Sequence, residues 1–198
     1  MANDYIKKEY ELCFTQLRFY DDREANLLQY LFTLTSAVST AQFAVYRFLK
    51  GATPEFFVCQ AFLSVIVFVA TVLLFLAMLQ NRLYFVMIAR QLNAIRGYLM
   101  KSEAEEFQNN QLYTSTDFPA LKPFSVHTFQ LVGAAFLSSL FAGASAYGLQ
   151  AANGEPPSFC FAFFVFLVVL VIEVIGGAKF LASSKGKSAD EVIHRTKA

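Results

Sequence analysis

The sequence predicts an all-α membrane protein with four transmembrane helices, arranged as two hairpins with cytoplasmic helical extensions. Charged residues are absent from four long runs, 25–46, 56–81, 123–154 and 156–172. A bilayer core about 30 Å thick is crossed by about 20 mostly apolar helical residues. Three runs reach this length, and the fourth reaches it if the helix extends through Glu173. The chain is only 16% charged, whereas soluble domains contain about 25% charged residues.

The first half of the chain predicts one hairpin with a cytoplasmic helix at each end. Residues 3–24 interleave charges with apolar residues near helical spacing, which predicts a helix that continues into the first span. Spans at 27–47 and 56–80 flank a turn that contains Gly51 and Pro54. From 82 to 107 apolar residues recur at helical spacing, so a cytoplasmic amphipathic helix is predicted there.

The second half predicts a linker and a second hairpin within the same integral membrane domain, 1–198. Amides, hydroxyls and prolines mark 108–124 as the linker. Spans follow at 127–149 and 158–178, and 179–198 form a cytoplasmic tail. The outer turns of both hairpins share the pattern G-x-x-P-x-F, which begins at Gly51 and Gly154. This pattern is either the trace of a parallel duplication or a coincidence.

Positive charges predict the orientation in the membrane. Of the 16 lysines and arginines, all but Arg47 and Lys50 lie in the N-terminal segment, in 82–122 or in the tail. Positively charged loops remain in the cytoplasm, so both termini are expected there. The net charge of +1 argues against nucleic acid as a direct partner.

Three arginines of the amphipathic helix are candidates for binding a partner or lipid: Arg82, Arg90 and Arg96. They lie mainly on the sides not occupied by the apolar stripe, which includes Phe85 and Leu92. Either the helix lies on the inner membrane surface with its arginines against anionic headgroups, or it continues the second span into the cytoplasm and packs on residues 3–24.

The first span carries a polar stripe whose members are spaced by four, three and four residues: Gln29, Thr33, Ser36 and Thr40. This spacing places them on one helical face. Polar side chains in hydrocarbon face another helix or water. The stripe is therefore either the wall of a pore for ions or water, or a packing surface with hydrogen bonds between helices.

Small residues recur every four positions in the third span: Ala134, Ala135, Ser138, Ser139, Ala142 and Gly143. Small side chains allow two helix backbones to approach closely, so these residues are candidates for helix packing and for an oligomer contact. The partner helix belongs either to the same chain or to another copy, and the length of the run favours self-association.

Glu173 lies near the inner end of the fourth span. An acid within a membrane is a candidate proton site, cation site or gate; alternatively, it reaches interfacial water or pairs with Lys179 or with an arginine of 82–96. Cys59 and Cys160, near the outer ends of two spans, either pair or pack as small apolar residues. Motifs for nucleotide binding or hydrolysis are absent from the sequence, so no enzyme activity, cofactor or metal is expected.

Residues 3–101 have a distinctive layout, in which a charged helix runs into one span and the returning span runs into a basic amphipathic helix. The segments that carry it are LRFYDDREANLLQYLFTLTSA and RLYFVMIARQLNAIRGYLM. This layout resembles the bacterial two-span effectors of the SLATT type and, more broadly, the small membrane subunits of anti-phage systems. The resemblance implies a homo-oligomer that perturbs the membrane when a cytoplasmic sensor protein signals infection. The second hairpin departs from the two-span plan.

The sequence favours a homo-oligomeric membrane pore or membrane-perturbing effector, for which the resemblance implies a role in antiviral defence. Two alternatives stay open. One is a non-conducting membrane anchor that recruits a soluble partner, and the other is a small transporter subunit that uses Glu173. The expected partners are the lipid bilayer, further copies of the chain and a sensor protein.

Overall fold

The computed structural model describes residues 2–103, 119–122 and 124–183, and these residues form an all-helical structure. The helices are α1 (Ala2–Phe48), α2 (Pro54–Glu103), α3 (Val126–Ala152) and α4 (Phe159–Ser183). The described part of the chain contains no strand. Most of the predicted linker 108–124, the end of the predicted helix 82–107 and the tail beyond Ser183 lie outside the described residues.

Three of the helices are long and apolar enough to cross a membrane: the Pro54–Tyr98 part of α2, α3 and α4. Each of the first two helices joins a predicted extension to a predicted span without interruption, so that α1 covers 3–24 and 27–47 and α2 covers 56–80 and most of 82–107. The uncharged part of α1 is less apolar than the other three helices. Its hydroxyls and amides, which form the stripe described above, lower its hydropathy.

Two tight turns join the helices in pairs. In the first, Lys50 and Gly51 have positive φ angles of 58° and 136°, and the Thr53 hydroxyl caps α2 by accepting from the Phe56 N–H. In the second, Gly154 has a φ of 77°, and Ser158 caps α4 by accepting from Phe161. The two caps occupy different positions in the shared G-x-x-P-x-F pattern, since Thr53 precedes its proline whereas Ser158 follows it.

The chain forms two compact units. The polar unit comprises Met1–Ala25, Gln80–Lys122 and Phe180–Ala198, and the apolar unit comprises Asn26–Leu79 and Pro123–Lys179. All four helices contribute to the apolar unit. The polar unit contains the charged beginning of α1 and the second half of α2.

The apolar unit is held together by close contacts of α3 with its neighbours. A Cβ added to Gly143 would lie 2.9 Å from the Ala162 carbonyl oxygen on α4. A Cβ added to Gly148 would lie 3.1 Å from the backbone nitrogen of Ala61 on α2. These helix backbones can approach this closely because glycine lacks a side chain. As a result, α3 lies between α2 and α4.

In the polar unit, the beginning of α1 packs on the second half of α2. The Gln91 amide donates to Glu9 at 2.7 Å, and the Asn81 amide donates to the Tyr20 carbonyl oxygen at 2.9 Å. The rings of Tyr20 and Tyr84 stack with their centroids 5.8 Å apart. The structure thus has the packed arrangement of the amphipathic helix, rather than one in which it is separated from residues 3–24.

Candidate functional site

The polar stripe of α1 lies on the exposed side of the helix. Gln29, Thr33, Ser36 and Thr40 are all exposed, whereas Leu31 and Thr35 are buried. At 100° per residue, the centre of the stripe is opposite the buried face of α1. The stripe therefore does not pack on α2, α3 or α4 of its own chain. Within the stripe, the Thr40 hydroxyl donates to the Ser36 carbonyl oxygen of its own helix at 2.9 Å.

The buried face of α1 contacts α2 within the apolar unit. The Gln42 amide donates to the Ser64 hydroxyl at 2.9 Å, and the Thr35 hydroxyl bonds to the Leu31 carbonyl oxygen of its own helix. This face satisfies its polar groups inside the chain. The exposed stripe requires water or a further polar helix if α1 lies in a bilayer.

The small residues of α3 are buried within the chain, as Ala134, Ala135, Ser138, Ser139, Ala142 and Gly143 all are. Gly143 faces α4, and Gly148 continues the contact on α2. Of the two predicted uses of this face, helix packing has its partners within the same chain, and an oligomer contact stays a prediction. The small side chains of this face serve packing inside one chain, and a second copy reaches them only if the helices separate.

Glu173 neither reaches water at the membrane boundary nor forms a described ion pair. Only 9% of the residue is exposed, and Oε1 accepts a hydrogen bond of 2.8 Å from the Ser138 hydroxyl of α3. Oε2 is buried and has no hydrogen-bond partner in the described part of the chain. The periodicity of α4 conceals this placement, because apolar residues surround the helix on all sides.

Buried hydroxyls from the other helices lie at the level of Glu173. Gln42 bonds to Ser64, and α1 and α2 run in opposite directions. Thr35 lies seven residues before Gln42, and Thr71 lies seven residues after Ser64, so the two threonines share a level. Ala61 lies against Gly148, and α2 and α3 also run in opposite directions. Thr71 lies ten residues after Ala61, and Ser138 lies ten residues before Gly148, so these two side chains share a level as well. We call this set, one side chain from each helix, the polar layer: Thr35, Thr71, Ser138 and Glu173.

The arginines predicted to bind a partner or lipid take part in the packing of the polar unit. Arg82 is only 3% exposed, and its Nε donates to the Ala120 carbonyl oxygen at 3.1 Å. Arg96 is half-buried and lies against the ring and hydroxyl of Tyr10, and Arg90 is half-buried. Arg82 thus lies inside the polar unit, and the binding of a partner or lipid by these arginines stays a prediction. The sequence around Arg82 does not predict this burial, because the groups near its side chain, Glu24 and Ala120, are distant in the chain.

The polar unit exposes apolar residues of α1 that recur every seven residues. Tyr5, Leu12 and Phe19 are 69%, 52% and 59% exposed. The same spacing continues in the sequence through Asn26, Thr33 and Thr40, which are exposed in the apolar unit. A repeat of seven is typical of helices that wrap around a similar helix.

The described residues contain no group of three or more His, Cys, Asp or Glu side chains that could hold a metal ion. Cys59 and Cys160 are free and exposed, and Cys13 is free and buried. Burial, assisted by the charge of Glu9, raises the pKa of the Cys13 thiol.

An open groove of about 620 Å³ lies between α3 and α4, on the outer side of the apolar unit. Aromatic rings line much of it, among them Phe136, Tyr147 and Phe163. Apolar walls of this kind suit a lipid acyl chain.

The exposed stripe of α1 and the polar layer are thus the two candidate functional features of the described chain. Compared with known proteins, the chain matches no family model, no curated protein and no solved structure.

Proposed function

We propose that this protein is a homo-oligomeric membrane pore, in which the α1 helices of several copies surround a water-filled path. The observation that carries the proposal is the exposure of Gln29, Thr33, Ser36 and Thr40 on the side of α1 that faces away from the rest of the chain. Amides and hydroxyls facing acyl chains are unfavourable. A ring of copies would remove them from lipid and would provide a hydrated wall.

The exposed apolar residues of α1 in the polar unit also support another copy of the chain as the partner. In water, Tyr5, Leu12 and Phe19 leave apolar surface uncovered, whereas in a bilayer the stripe leaves polar surface uncovered. A partner that covers both must be apolar along the first part of α1 and polar along the second. A parallel α1 of another copy has this pattern, and the shared spacing of seven residues is suited to it.

The proposed topology has four spans, with α1 as the least apolar. A helix lined by water on one side needs less hydropathy than one surrounded by lipid, which is consistent with its composition. The distribution of lysine and arginine supports cytoplasmic termini. We further propose a bacterial inner membrane and a cytoplasmic sensor that controls the pore during anti-phage defence, on the layout of residues 3–101.

The pore is tested by ion and dye flux from liposomes that contain the purified full-length protein. Thr33→Leu combined with Ser36→Leu should reduce flux to that of protein-free liposomes, because an apolar constriction excludes water. Ser39→Leu is the matched control, since Ser39 is exposed but lies beside the stripe, and it should retain flux. Unchanged flux in the double variant, with the oligomer intact, would exclude α1 as the path.

Cross-linking tests the arrangement of copies without requiring the pore to be open. Thr33→Cys in a background with Cys59 and Cys160 replaced should form disulfide-linked dimers in membranes. Ile172→Cys should form none, because Ile172 is equally exposed but lies on α4. Dimers of the Ile172 variant without dimers of the Thr33 variant would contradict the arrangement.

A second candidate function is a non-conducting anchor that recruits a soluble protein. The exposed Tyr5, Leu12 and Phe19 favour it, since they also suit an apolar partner helix. If the oligomer forms but neither it nor its mixture with a co-encoded partner conducts, the anchor replaces the pore.

A further inference from the structure

Glu173 occupies a position where an ionised carboxylate would have few hydrogen-bond donors to balance its charge. The residue is more than nine-tenths buried, and one hydrogen bond, from Ser138, reaches its Oε1. Oε2 is buried with no hydrogen-bond partner among residues 2–103, 119–122 and 124–183. Burying a charged carboxylate without a counter-ion or further donors is strongly unfavourable.

Counted along the helices, the other members of the polar layer, which share the level of Glu173, are hydroxyls rather than charges. These are Thr35 of α1, Thr71 of α2 and Ser138 of α3. The other charged groups of the apolar unit's described part lie near the turns or at the end of α4: Arg47, Lys50, Glu55, Glu155 and Lys179. His127 is eleven residues before Ser138 on α3. Lys179 is exposed and six residues after Glu173. Within the described part of the apolar unit, no cationic side chain is therefore positioned at this level to pair with the carboxylate.

The hydroxyls distinguish between a proton and a metal cation as the ligand. Thr35 donates to the Leu31 carbonyl oxygen and Thr71 donates to the Phe68 carbonyl oxygen, so both are committed to their own helices. Only the Ser138 hydroxyl is directed at the carboxylate. A hard metal cation requires a shell of several oxygen ligands, whereas a proton requires one oxygen, and Oε2 is available.

We propose that Glu173, oriented by Ser138 within the polar layer, is a proton-binding site in the interior of the apolar unit. The proton resides on Oε2 at neutral pH while Oε1 accepts from Ser138. Loss of the proton leaves a carboxylate that must be hydrated, so it requires α3 and α4 to separate far enough to admit water. The site is separate from the stripe of α1, and it does not depend on the number of copies.

The proton is detected by infrared spectroscopy of the full-length protein in lipid nanodiscs at neutral pH. A protonated carboxyl has a carbonyl stretching band that ionised carboxylates lack. We expect this band in the wild-type protein and its loss in Glu173→Gln. Ser138→Ala should shift the band to higher frequency, because the Oε1 carbonyl loses its hydrogen bond. Ser139→Ala is the matched control and should leave it unchanged, since Ser139 is equally buried but donates to Ala135 of its own helix.

Three results would overturn the proposal: no such band in the wild type, a band that Ser138→Ala does not move, or a band removed when sodium replaces a bulky organic cation at constant ionic strength. The last result would assign a sodium site. If Glu173→Gln fails to fold, the Ser138 and Ser139 variants still decide the question. A negative result leaves the proposed pore unaffected, because the measurement involves neither flux nor assembly.

Discussion

At the residue scale, Arg82 and Glu173 are both buried, but in different surroundings. In the polar unit, the Arg82 Nε donates to the Ala120 carbonyl oxygen, and the negative charges of Glu24 and Asp21 oppose the effect of burial on its cation. Glu173 in the apolar unit has one donor, Ser138. Arg82 thus has opposite charges near it, whereas Glu173 is the candidate site, because strongly perturbed buried groups are enriched at functional sites.

Replacing Arg82 should destabilise the polar unit strongly. Arg82→Met removes the cation and leaves Glu24, which is only 5% exposed, without its positive charge. We expect a loss of about 3–5 kcal/mol of unfolding free energy, measured by thermal or denaturant unfolding in detergent. Adding Glu24→Gln should recover much of this loss, since the buried charge is then absent.

Arg18 provides the control for this measurement. It is exposed and lies 4.8 Å from the centre of the Phe14 ring. Arg18→Met should change stability by no more than about 0.5 kcal/mol. Equal effects of the Arg18 and Arg82 substitutions would show that burial of Arg82 contributes nothing specific.

At the element scale, the side chains on each face of α3 and α1 determine what that face can pack against. The α3 face is small, so α2 and α4 approach it closely at Gly148 and Gly143. The uncovered surface of α1 contains the polar stripe beside exposed aromatic residues such as Phe32 and Phe43, and the stripe is unsuited to lipid. In the proposed oligomer, packing inside the chain and assembly between copies would use different faces, which would allow one to be altered without the other.

Gly143→Ala should loosen the contact between α3 and α4. The added Cβ would lie 2.9 Å from the Ala162 carbonyl oxygen and 3.3 Å from the Phe166 Cβ, and a backbone oxygen cannot move aside alone. We expect a loss of about 1–3 kcal/mol in thermal unfolding.

Gly176→Ala is the matched substitution, because Gly176 is also in a helix but has nothing within 4 Å of an added Cβ. It should be neutral or stabilise by up to about 1 kcal/mol, since alanine favours the helix. A Gly143 variant as stable as the Gly176 variant would mean that the helices are further apart than described.

At the scale of the whole molecule, the number of membrane crossings depends on α1. The described helices include three that are long and apolar enough to span, and three crossings would place the termini on opposite sides. Four crossings place them on the same side. The charge distribution favours the second arrangement, and so does the proposed pore, because its wall is formed by α1.

Reporter fusions at the two ends of the chain decide between these topologies. We expect a fluorescent protein that folds only in the cytoplasm to be active at either terminus, and a periplasmic phosphatase to be inactive at both. Phosphatase inserted in the turn at Gly51 should be active. Termini on opposite sides would leave three spans and would remove α1 from the membrane, and with it the pore.

The helices themselves follow from local sequence. Long uncharged runs bounded by Gly51, Pro54 and Gly154 are enough to predict four helices and two turns, because backbone hydrogen bonding and turn chemistry act between residues near in the chain. The polar stripe of α1 and the small face of α3 were visible for the same reason, since both are periodic along one helix.

The roles of these faces depend on residues distant in the chain, and the three-dimensional packing assigns them. The small face of α3 is used up by Ala61 and Ala162, Arg82 is enclosed by groups near 24 and 120, and Glu173 meets Ser138, 35 residues earlier. Periodicity reveals which residues share a side of one helix. It contains no information on which neighbour covers that side, and burial and charge compensation depend on the neighbour.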